Sequence, residues 1–464
     1  ANIDVGPVVY GPVNESNDAQ FYANSKAADS TITVRGDGGR VSFVGNSTAD
    51  NATIVALGST RTGYVPGTIG GQVQFHGFST AGNATITAQG ATSAGATAGA
   101  GGLIVVLNGG HAGNATLIAN GGASADNGGG IRFQGGGVGD SARVVVNAGA
   151  YADFSHNAFH GDTAVGSIEG AGRFSLGGSL LTVGNLNTNT TVSGTITDAG
   201  GIVNGTGGRL TKVGAGTLTL SGANTYSGLT TVVGGTLSLT GSVAGDVTVK
   251  SGATLLGAGS IDATSILTCE AGAICKIGTS PGTLSLGGLN LMSGSTLEFE
   301  LGAIRDHIVV TNNGTVTLGG LLQLSLLDGF NPALGQTFSL FEGSIGSITG
   351  TFSAVNAPTF NGHTLNVLYG ANQVTLQVGE AVLPPGDYNR SGTVDAADYV
   401  VWRKNNGTPQ EYDTWRTNFG RTAGDGNGVG ASRSEFLVPE PFSYMLAIFA
   451  VMIAALGRRA LIKS

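Results

Sequence analysis

Short runs in which every second residue is apolar recur along the chain. Val41 and Phe43, Val73 and Phe75, and Ile131 and Phe133 alternate with polar or small residues, and Thr53 and Val55 share one face in the same way. A period of two is that of a β-strand, whose side chains point alternately to opposite faces. No stripe at helical spacing competes with it. Each run sits in a longer block that repeats. Gly38-Gly-Arg-Val-Ser-Phe43 leads to Asn51-Ala-Thr-Ile54, Gly70-Gly-Gln-Val-Gln-Phe75 to Asn83-Ala-Thr-Ile86, and Gly101-Gly-Leu-Ile-Val-Val106 to Asn114-Ala-Thr-Leu117. Weaker copies join Phe133 to Ser141-Ala-Arg-Val144 and Phe21 to Asp29-Ser-Thr-Ile32. Asp29, Asn51, Asn83, Asn114 and Ser141 are separated by 22, 32, 31 and 27 residues, so the block keeps its length while the connecting loop varies. Repeats of this size signal a solenoid, in which each unit buries its apolar face only by stacking on its neighbours. The pattern predicts a mainly β fold, a right-handed parallel β-helix from residue 16 to about residue 260, with the six apolar residues named first lining its interior. The Asn-Ala-Thr triplets match glycosylation sequons, but their recurrence at the repeat period points to polar residues stacked at a corner.

Composition narrows the classes. Of 464 residues 82 are Gly and 11% are charged, a balance that disfavours most enzyme folds. Glycine without a three-residue period is not collagen, and 41% hydrophobic content is too apolar for a disordered chain. The net charge of -8 leaves no basic footprint for nucleic acid. The two cysteines, Cys269 and Cys275, are bridged if the spacer Glu270–Ile274 turns back on itself, or else are two buried small hydrophobes. The chain starts at Ala1, as expected either of an exported protein that has lost its leader or of a fragment.

The segment Leu210-Thr-Lys212-Val-Gly214-Ala-Gly216-Thr-Leu218-Thr-Leu220-Ser-Gly222-Ala-Asn224-Thr-Tyr226-Ser-Gly228 resembles the autotransporter-associated β-strand repeat, also called the passenger-associated transport repeat. The resemblance implies coils of a right-handed β-helix in a secreted or surface protein. Similar β patterning continues from Gly278 to Val378, as further coils or as a terminal sandwich-like module. At Leu383-Pro384-Pro385 the composition changes, and both Trp residues, 402 and 415, follow. The chain is thus expected to divide into Gly-rich coils (1–166), the transport-repeat region (167–260), further β structure (261–380), a small α-helical module (381–437) and a tail with a hydrophobic helix (438–464).

Asp387-Tyr-Asn389-Arg-Ser391-Gly392-Thr393-Val394-Asp395-Ala-Ala-Asp398 places oxygen atoms at positions 1, 3, 5, 9 and 12 of a twelve-residue loop, with Gly at 6 and the Thr393 carbonyl at 7. Ca²⁺ requires six to eight oxygen ligands and a sharp turn, which this spacing supplies. With Asp at position 12 and no helix-like sequence ahead of it, the loop resembles a dockerin-type calcium loop, followed by a helix containing Tyr399 to Lys404 and a partial copy from Glu411 to Gly420. Only eight residues lie between Trp402 and Glu411, so the second calcium loop of that family is missing, and with it the paired surface that cohesin binding uses. Asp425-Gly-Asn427-Gly428 begins like another loop but lacks ligands at its fifth and twelfth positions.

Other chemical signals are weak. Gly278-Thr-Ser280-Pro-Gly282 has the spelling of a hydrolase nucleophile turn, but Pro281 lacks the N–H that would form half an oxyanion hole, which makes it an ordinary turn. His156 and His160 stand in Gly-rich β surroundings without a Glu partner, and Asp306-His307 is uninformative by itself. The favoured reading is an exported, non-catalytic stalk or surface protein whose faces are available to matrix polysaccharide or other cells. The alternative is a polysaccharide lyase or hydrolase on a parallel β-helix, which would cluster Asp, Lys and Arg on one coil face.

Val438-Pro439-Glu440-Pro441 precedes the apolar stretch Phe442 to Leu456, which is followed by Arg458, Arg459 and Lys463. Fifteen helical residues make a marginal span of the about 30 Å hydrocarbon core, and the basic cluster would stay cytoplasmic. The order resembles a PEP-CTERM sorting signal. That implies transient membrane insertion, recognition by an exosortase-type processing enzyme, and a body delivered to the cell envelope, surface or matrix of a Gram-negative-type bacterium. Intact-mass analysis of protein recovered from producing cells is expected to show a chain ending near Pro441. A mass that includes Ser464 would overturn that expectation.

Overall fold

The computed structural model describes residues 2–5, 18–60, 70–93, 100–157, 162–278, 281–327 and 329–423. The sequence from residue 424 onward, with Asp425–Gly428, Val438–Pro441, the apolar stretch, Arg458 and Arg459, lies outside the described residues, as do His160 and Ser280. The chain divides into two compact units. One comprises residues 1–330, 338–356 and 367–376, the other residues 331–337, 357–366 and 377–464.

The first unit is a parallel β-helix. Successive short strands alternate between two sheets. A seven-stranded sheet holds Thr31–Val34, Thr53–Ala56, Thr85–Ala88, Thr116–Ala119 and Arg143–Val146. An eight-stranded sheet holds Arg40–Phe43, Gln72–His76, Leu103–Leu107, Gly130–Gln134, Tyr151–Asp153 and Arg173–Ser175. Each strand pairs in parallel with its counterpart one coil away, so Ile32, Ile54, Ile86, Leu117 and Val144 share a register position, as do Val41, Val73, Ile104 and Ile131. Among the described residues of these coils the strand pairings are parallel, not antiparallel hairpins. The six residues predicted to face inward, Val41, Phe43, Val73, Phe75, Ile131 and Phe133, are all fully buried.

In-register stacking makes like meet like. Phe21 lies on Phe43 at 4.6 Å between ring centroids, and Phe43 on Phe75 at 4.8 Å, with the planes within 11° of parallel. Each buried ring contributes on the order of 1.5–3 kcal/mol from removal from water. At the coil corner two backbones pass so closely that only hydrogen fits: a Cβ on Gly102 would stand 2.1 Å from the Ala56 carbonyl oxygen, and one on Gly129 would stand 2.1 Å from that of Ala88. The Gly pairs at 70–71, 101–102 and 128–129 are thus a packing requirement.

The helix does not stop near residue 260. Strands Ile274–Ile277, Thr296–Leu301, Leu321–Leu326 and Ala354–Asn356 continue one parallel ladder, while His307–Leu318 pairs in parallel with Phe341–Gly350. The choice between further coils and a separate module thus falls to coils as far as Asn356. Thr337–Ser339, Val374–Glu380 and His363–Tyr369 form a separate three-stranded sheet. Cys269 ends one strand and Cys275 lies in the next. The turn between them closes with the Ala273 N–H on the Glu270 carbonyl (2.9 Å), which brings the Cα atoms to 6.6 Å, and the two are disulfide-bonded inside the coil.

Phe75→Ala is expected to cost about 3–5 kcal/mol from the cavity it leaves. Because each coil contacts only its neighbours, native-state hydrogen exchange should rise in strands Arg40–Phe43 to Leu103–Leu107 while protection after residue 200 persists. Gly102→Ala should do the same by pushing two backbones apart. Uniform loss of protection along the whole chain would contradict a nearest-neighbour stack.

Candidate functional site

The loop after the Pro pair folds around itself. Asp387 accepts the backbone N–H of Ser391 (3.0 Å) and of Gly392 (2.8 Å), one on each carboxylate oxygen. Asn389 Oδ1 accepts the Ser391 N–H at 2.9 Å, and the Ser391 hydroxyl donates to the Thr393 carbonyl at 3.2 Å. Asp398 is fully buried and accepts the N–H of Asn389 (2.9 Å) and of Asp395 (2.8 Å). Gly392 at position 6 has φ of +91°, a backbone conformation that side chains resist, and a Cβ there would also strike Thr359. Asp395 caps the helix α1 (Ala396–Lys404) by accepting the Ala397 N–H at 2.7 Å, and Asp398 completes the capping box.

Burial holds the Asp398 carboxyl above the usual carboxylate range. The two N–H groups work against that shift, and the negative charges of Asp387 and Asp395 add to it. Among the described residues no group of three or more His, Cys, Asp or Glu side chains is gathered into a metal cage. A cation in this loop would therefore rely on the mixed set of Asp387, Asn389, Ser391, the Thr393 carbonyl, Asp395 and Asp398. That set fits Ca²⁺ in chemistry: every ligand atom is oxygen, the turn is made, and the buried Asp398 carboxylate stands within electrostatic reach of Asp387 and Asp395.

Helix α2 (Pro409–Asn418) follows α1 after a short turn in which Trp402 Nε1 donates to the Thr408 carbonyl at 3.0 Å. Tyr399, Trp402, Tyr412, Trp415 and Phe419 form one aromatic cluster with centroid separations of 5.2–6.0 Å. Trp415 is buried and ties this cluster to the loop through its Nε1–H on the Asp395 carbonyl, at 2.7 Å. Sequence reasoning missed the return of the chain after α2. Val394 donates to the Arg421 carbonyl (2.9 Å), and Gly420 donates to the Val394 carbonyl (2.8 Å). The backbone edge of the loop is thus paired without a second calcium loop.

The transport-repeat signature proves to be structural chemistry. Lys212 is buried with its pKa lowered by burial, and its Nζ donates to the carbonyls of Val213, Gly214 and Gly234 at 2.8–3.1 Å. Asn224 accepts the Ile196 N–H (2.9 Å) and donates to the carbonyls of Gly222 and Ser242 (3.1 and 3.0 Å). Tyr226 is fully buried with its hydroxyl 2.6 Å from Thr230 Oγ1. The asparagine triplets stack as expected: the side-chain amide of Asn51 donates to Asp29, that of Asn83 to Asn51 and that of Asn114 to Asn83, at 3.1–3.3 Å.

Asp306, unremarkable in sequence, is fully buried and accepts the N–H groups of Gly282 (3.0 Å) and Glu300 (2.8 Å). It anchors one end of the Gly278–Gly282 turn. Its pKa is raised by burial against those bonds. His307 Nδ1 lies 3.1 Å from Glu342 Oε1. His156 sits in the short 3-10 helix Ser155–Asn157. The carboxylates Asp18 and Asp153 on the outer face of the eight-stranded sheet are engaged. Asp18 is paired with Arg40 at 3.5 Å, and Asp153 accepts the N–H groups of Ser155 and Ile202. No helix among the described residues is long and apolar enough to cross a membrane.

A parallel β-helix and a small module with two short helices are what the fold defines. Residues 210–239 match the passenger-associated-transport-repeat family. A curated relative, the adhesin BmaC autotransporter of Brucella suis biovar 1 (strain 1330), is 31% identical over 218 residues. The match covers 45% of this chain and 6% of that protein, so the chain spans only a small fraction of its relative. The crystal structure of the Haemophilus influenzae Hap adhesin is similar over 81% of this chain and 45% of that one, at 12% identity and a TM-score of 0.30, too low to bear on the fold.

Titration of the full chain with Ca²⁺ at neutral pH should give one site and a change in the emission of Trp402 and Trp415. Asp387→Ala and Asp398→Ala are each expected to weaken binding by more than about tenfold, since a hard cation loses an ionised ligand. Absence of heat and of any emission change in the unaltered chain would show the loop to be an ordinary turn.

Proposed function

We propose that the chain is an exported, non-catalytic β-helical protein that acts by adhesion at the cell surface or in the extracellular matrix of a Gram-negative-type bacterium. The observation that carries this reading is the continuous parallel stack from Thr31 to Asn356, in which the recurring polar side chains serve the stack itself. The name of the Brucella relative, an adhesin, supports it. Such a stack supplies a long, stiff display surface, and its strand backbone is protected from proteases by the parallel ladders between coils. The enzymatic alternative needs a carboxylate free to act as acid or base beside its cationic groups. On the face that carries Arg40, Arg132 and Arg173, Asp18 and Asp153 are already engaged.

Ca²⁺ bound by Asp387, Asn389, Ser391, the Thr393 carbonyl, Asp395 and Asp398 would order the small C-terminal module, whose own core is little more than one aromatic cluster. The single loop argues against cohesin as its partner. In this reading the tail with Val438–Pro441, Arg458 and Arg459 is the address read by an exosortase-type enzyme.

Beads coated with the folded chain are expected to attach to matrix from the producing bacterium several-fold better than beads coated with heat-denatured chain. Equal attachment would overturn the adhesive reading, and release of reducing or unsaturated sugars from the matrix would favour the enzyme.

A further inference from the structure

On the outer face of the eight-stranded sheet one register column runs Arg40, Gln72, Leu103, Gly130, Tyr151, Arg173 and Thr195. Tyr151 and Arg173 occupy one register position in successive strands, with Gly130 on the other side of Tyr151. Gly130 makes the arrangement feasible, since a Cβ there would lie 2.5 Å from the Tyr151 ring. The phenol is flanked by two guanidinium groups. Arg132 Cζ is 5.5 Å and Arg173 Cζ 5.8 Å from its ring centroid, within the range of cation–π attraction. Arg132 Nη2 donates to the Tyr151 hydroxyl at 2.7 Å. That oxygen is thereby used as an acceptor, and the phenolic O–H remains to be given outward.

Arg173 is exposed and donates from Nη2 to the Gly200 carbonyl at 3.1 Å. Its guanidinium lies against the bare Cα of Gly200, whose φ is +79° and where a Cβ would come within 2.9 Å of Arg173 Cζ. One edge of the fork is thus pinned while the other stays open. Neither Arg132 nor Arg173 has a carboxylate partner among the described ion pairs, and Arg132 Nε is buried without a hydrogen-bond partner. Asp153 neighbours Arg132 in register, but its oxygens accept from the Ser155 N–H and hydroxyl and from the Ile202 N–H. An open cleft of about 450 Å³ lies here, lined by Tyr151, Arg173, Thr195, Thr197 and the backbone of Gly149 and Gly172.

We infer that this cleft binds an acidic saccharide, a sugar unit bearing a carboxylate or sulfate, with Arg173 as the anion fork, Tyr151 as a hydroxyl donor and Arg132 as the residue that positions Tyr151. The charged group in the lining is a guanidinium and the Tyr151 hydroxyl donates beside it, with the Thr195 and Thr197 hydroxyls able to donate as well, a set that suits an acceptor-rich anion. A planar fork with one free edge suits a carboxylate in two-point contact. The flat glycine floor admits a polymer running across the coils, and the volume suits one or two sugar rings. In a chain of net charge -8 this local excess of positive charge stands against the general background. The inference rests on the adhesive reading for its biological sense but not for its chemistry.

The full chain, in EDTA so that calcium bridging plays no part, is passed over immobilised polygalacturonate, dextran sulfate and neutral dextran. Retention on polygalacturonate or dextran sulfate but not on dextran is expected, and which of the two retains it identifies the anion. Retention should weaken as NaCl rises. Arg173→Gln should reduce affinity at least about tenfold, Arg173→Lys should recover part of it by restoring charge without the fork, and Tyr151→Phe should cost a smaller factor with the fold intact by circular dichroism. Equal retention on neutral dextran, no retention on either anionic polymer, or variants that bind like the parent would overturn the site. Bead attachment is read separately. A parent chain that binds polygalacturonate but fails to attach overturns the adhesive reading alone.

Discussion

The structure depends on one constraint, that every coil hydrogen-bonds in parallel and in register with the next. A parallel ladder places identical positions above one another at about 4.8 Å, so a residue tolerated once must be tolerated against its own kind. Aromatic rings satisfy this by stacking face to face inside, as Phe21, Phe43 and Phe75 do. Asparagines satisfy it outside, because an amide is donor and acceptor at once and can continue a ladder without limit. Charged residues satisfy it poorly. That physical reason accounts for a composition with so few of them, and it makes each exception informative.

The exceptions fall where the ladder changes. Lys212 is buried beside a coil corner, where the carbonyls of Val213, Gly214 and Gly234 converge and no N–H is available to meet them. An ammonium with three donors fits that deficit, at the cost in desolvation that lowers its pKa. Asn224 serves both sides of a similar gap, and Tyr226 fills the coil beneath. The most recognisable stretch of the sequence is therefore recognisable for packing, while the residues best placed to meet another molecule, Tyr151 and Arg173, stand in coils with no repeated signature.

The C-terminal module follows a different rule. Its core is a cluster of aromatic rings between two short helices, too small to hold three nearby carboxylates by hydrophobic burial alone. Asp398 shows the conflict: it is buried, it caps α1 and anchors the loop through two N–H groups, and its charged form is opposed by burial and by Asp387 and Asp395. The pairing of Val394 with Gly420 and Arg421 closes the backbone edge of the loop without a second loop.

The sequence by itself determined the coil. Period-two alternation, the constant spacing from glycine pair to asparagine, and small residues at the corners specify strands, interior and repeat, because each is a local steric or register requirement repeated until it is unmistakable. It also carries the order of oxygen-bearing residues from Asp387 to Asp398, since that loop is contiguous in sequence. Tertiary structure alone decided where the coils stop, the bridge between Cys269 and Cys275, the burial of Asp306, and the meeting of Arg132, Tyr151 and Arg173. Each of these joins residues from different coils or depends on how far a spacer turns back. Such a distance is set by the stacking of whole coils, and no local pattern of residues encodes it.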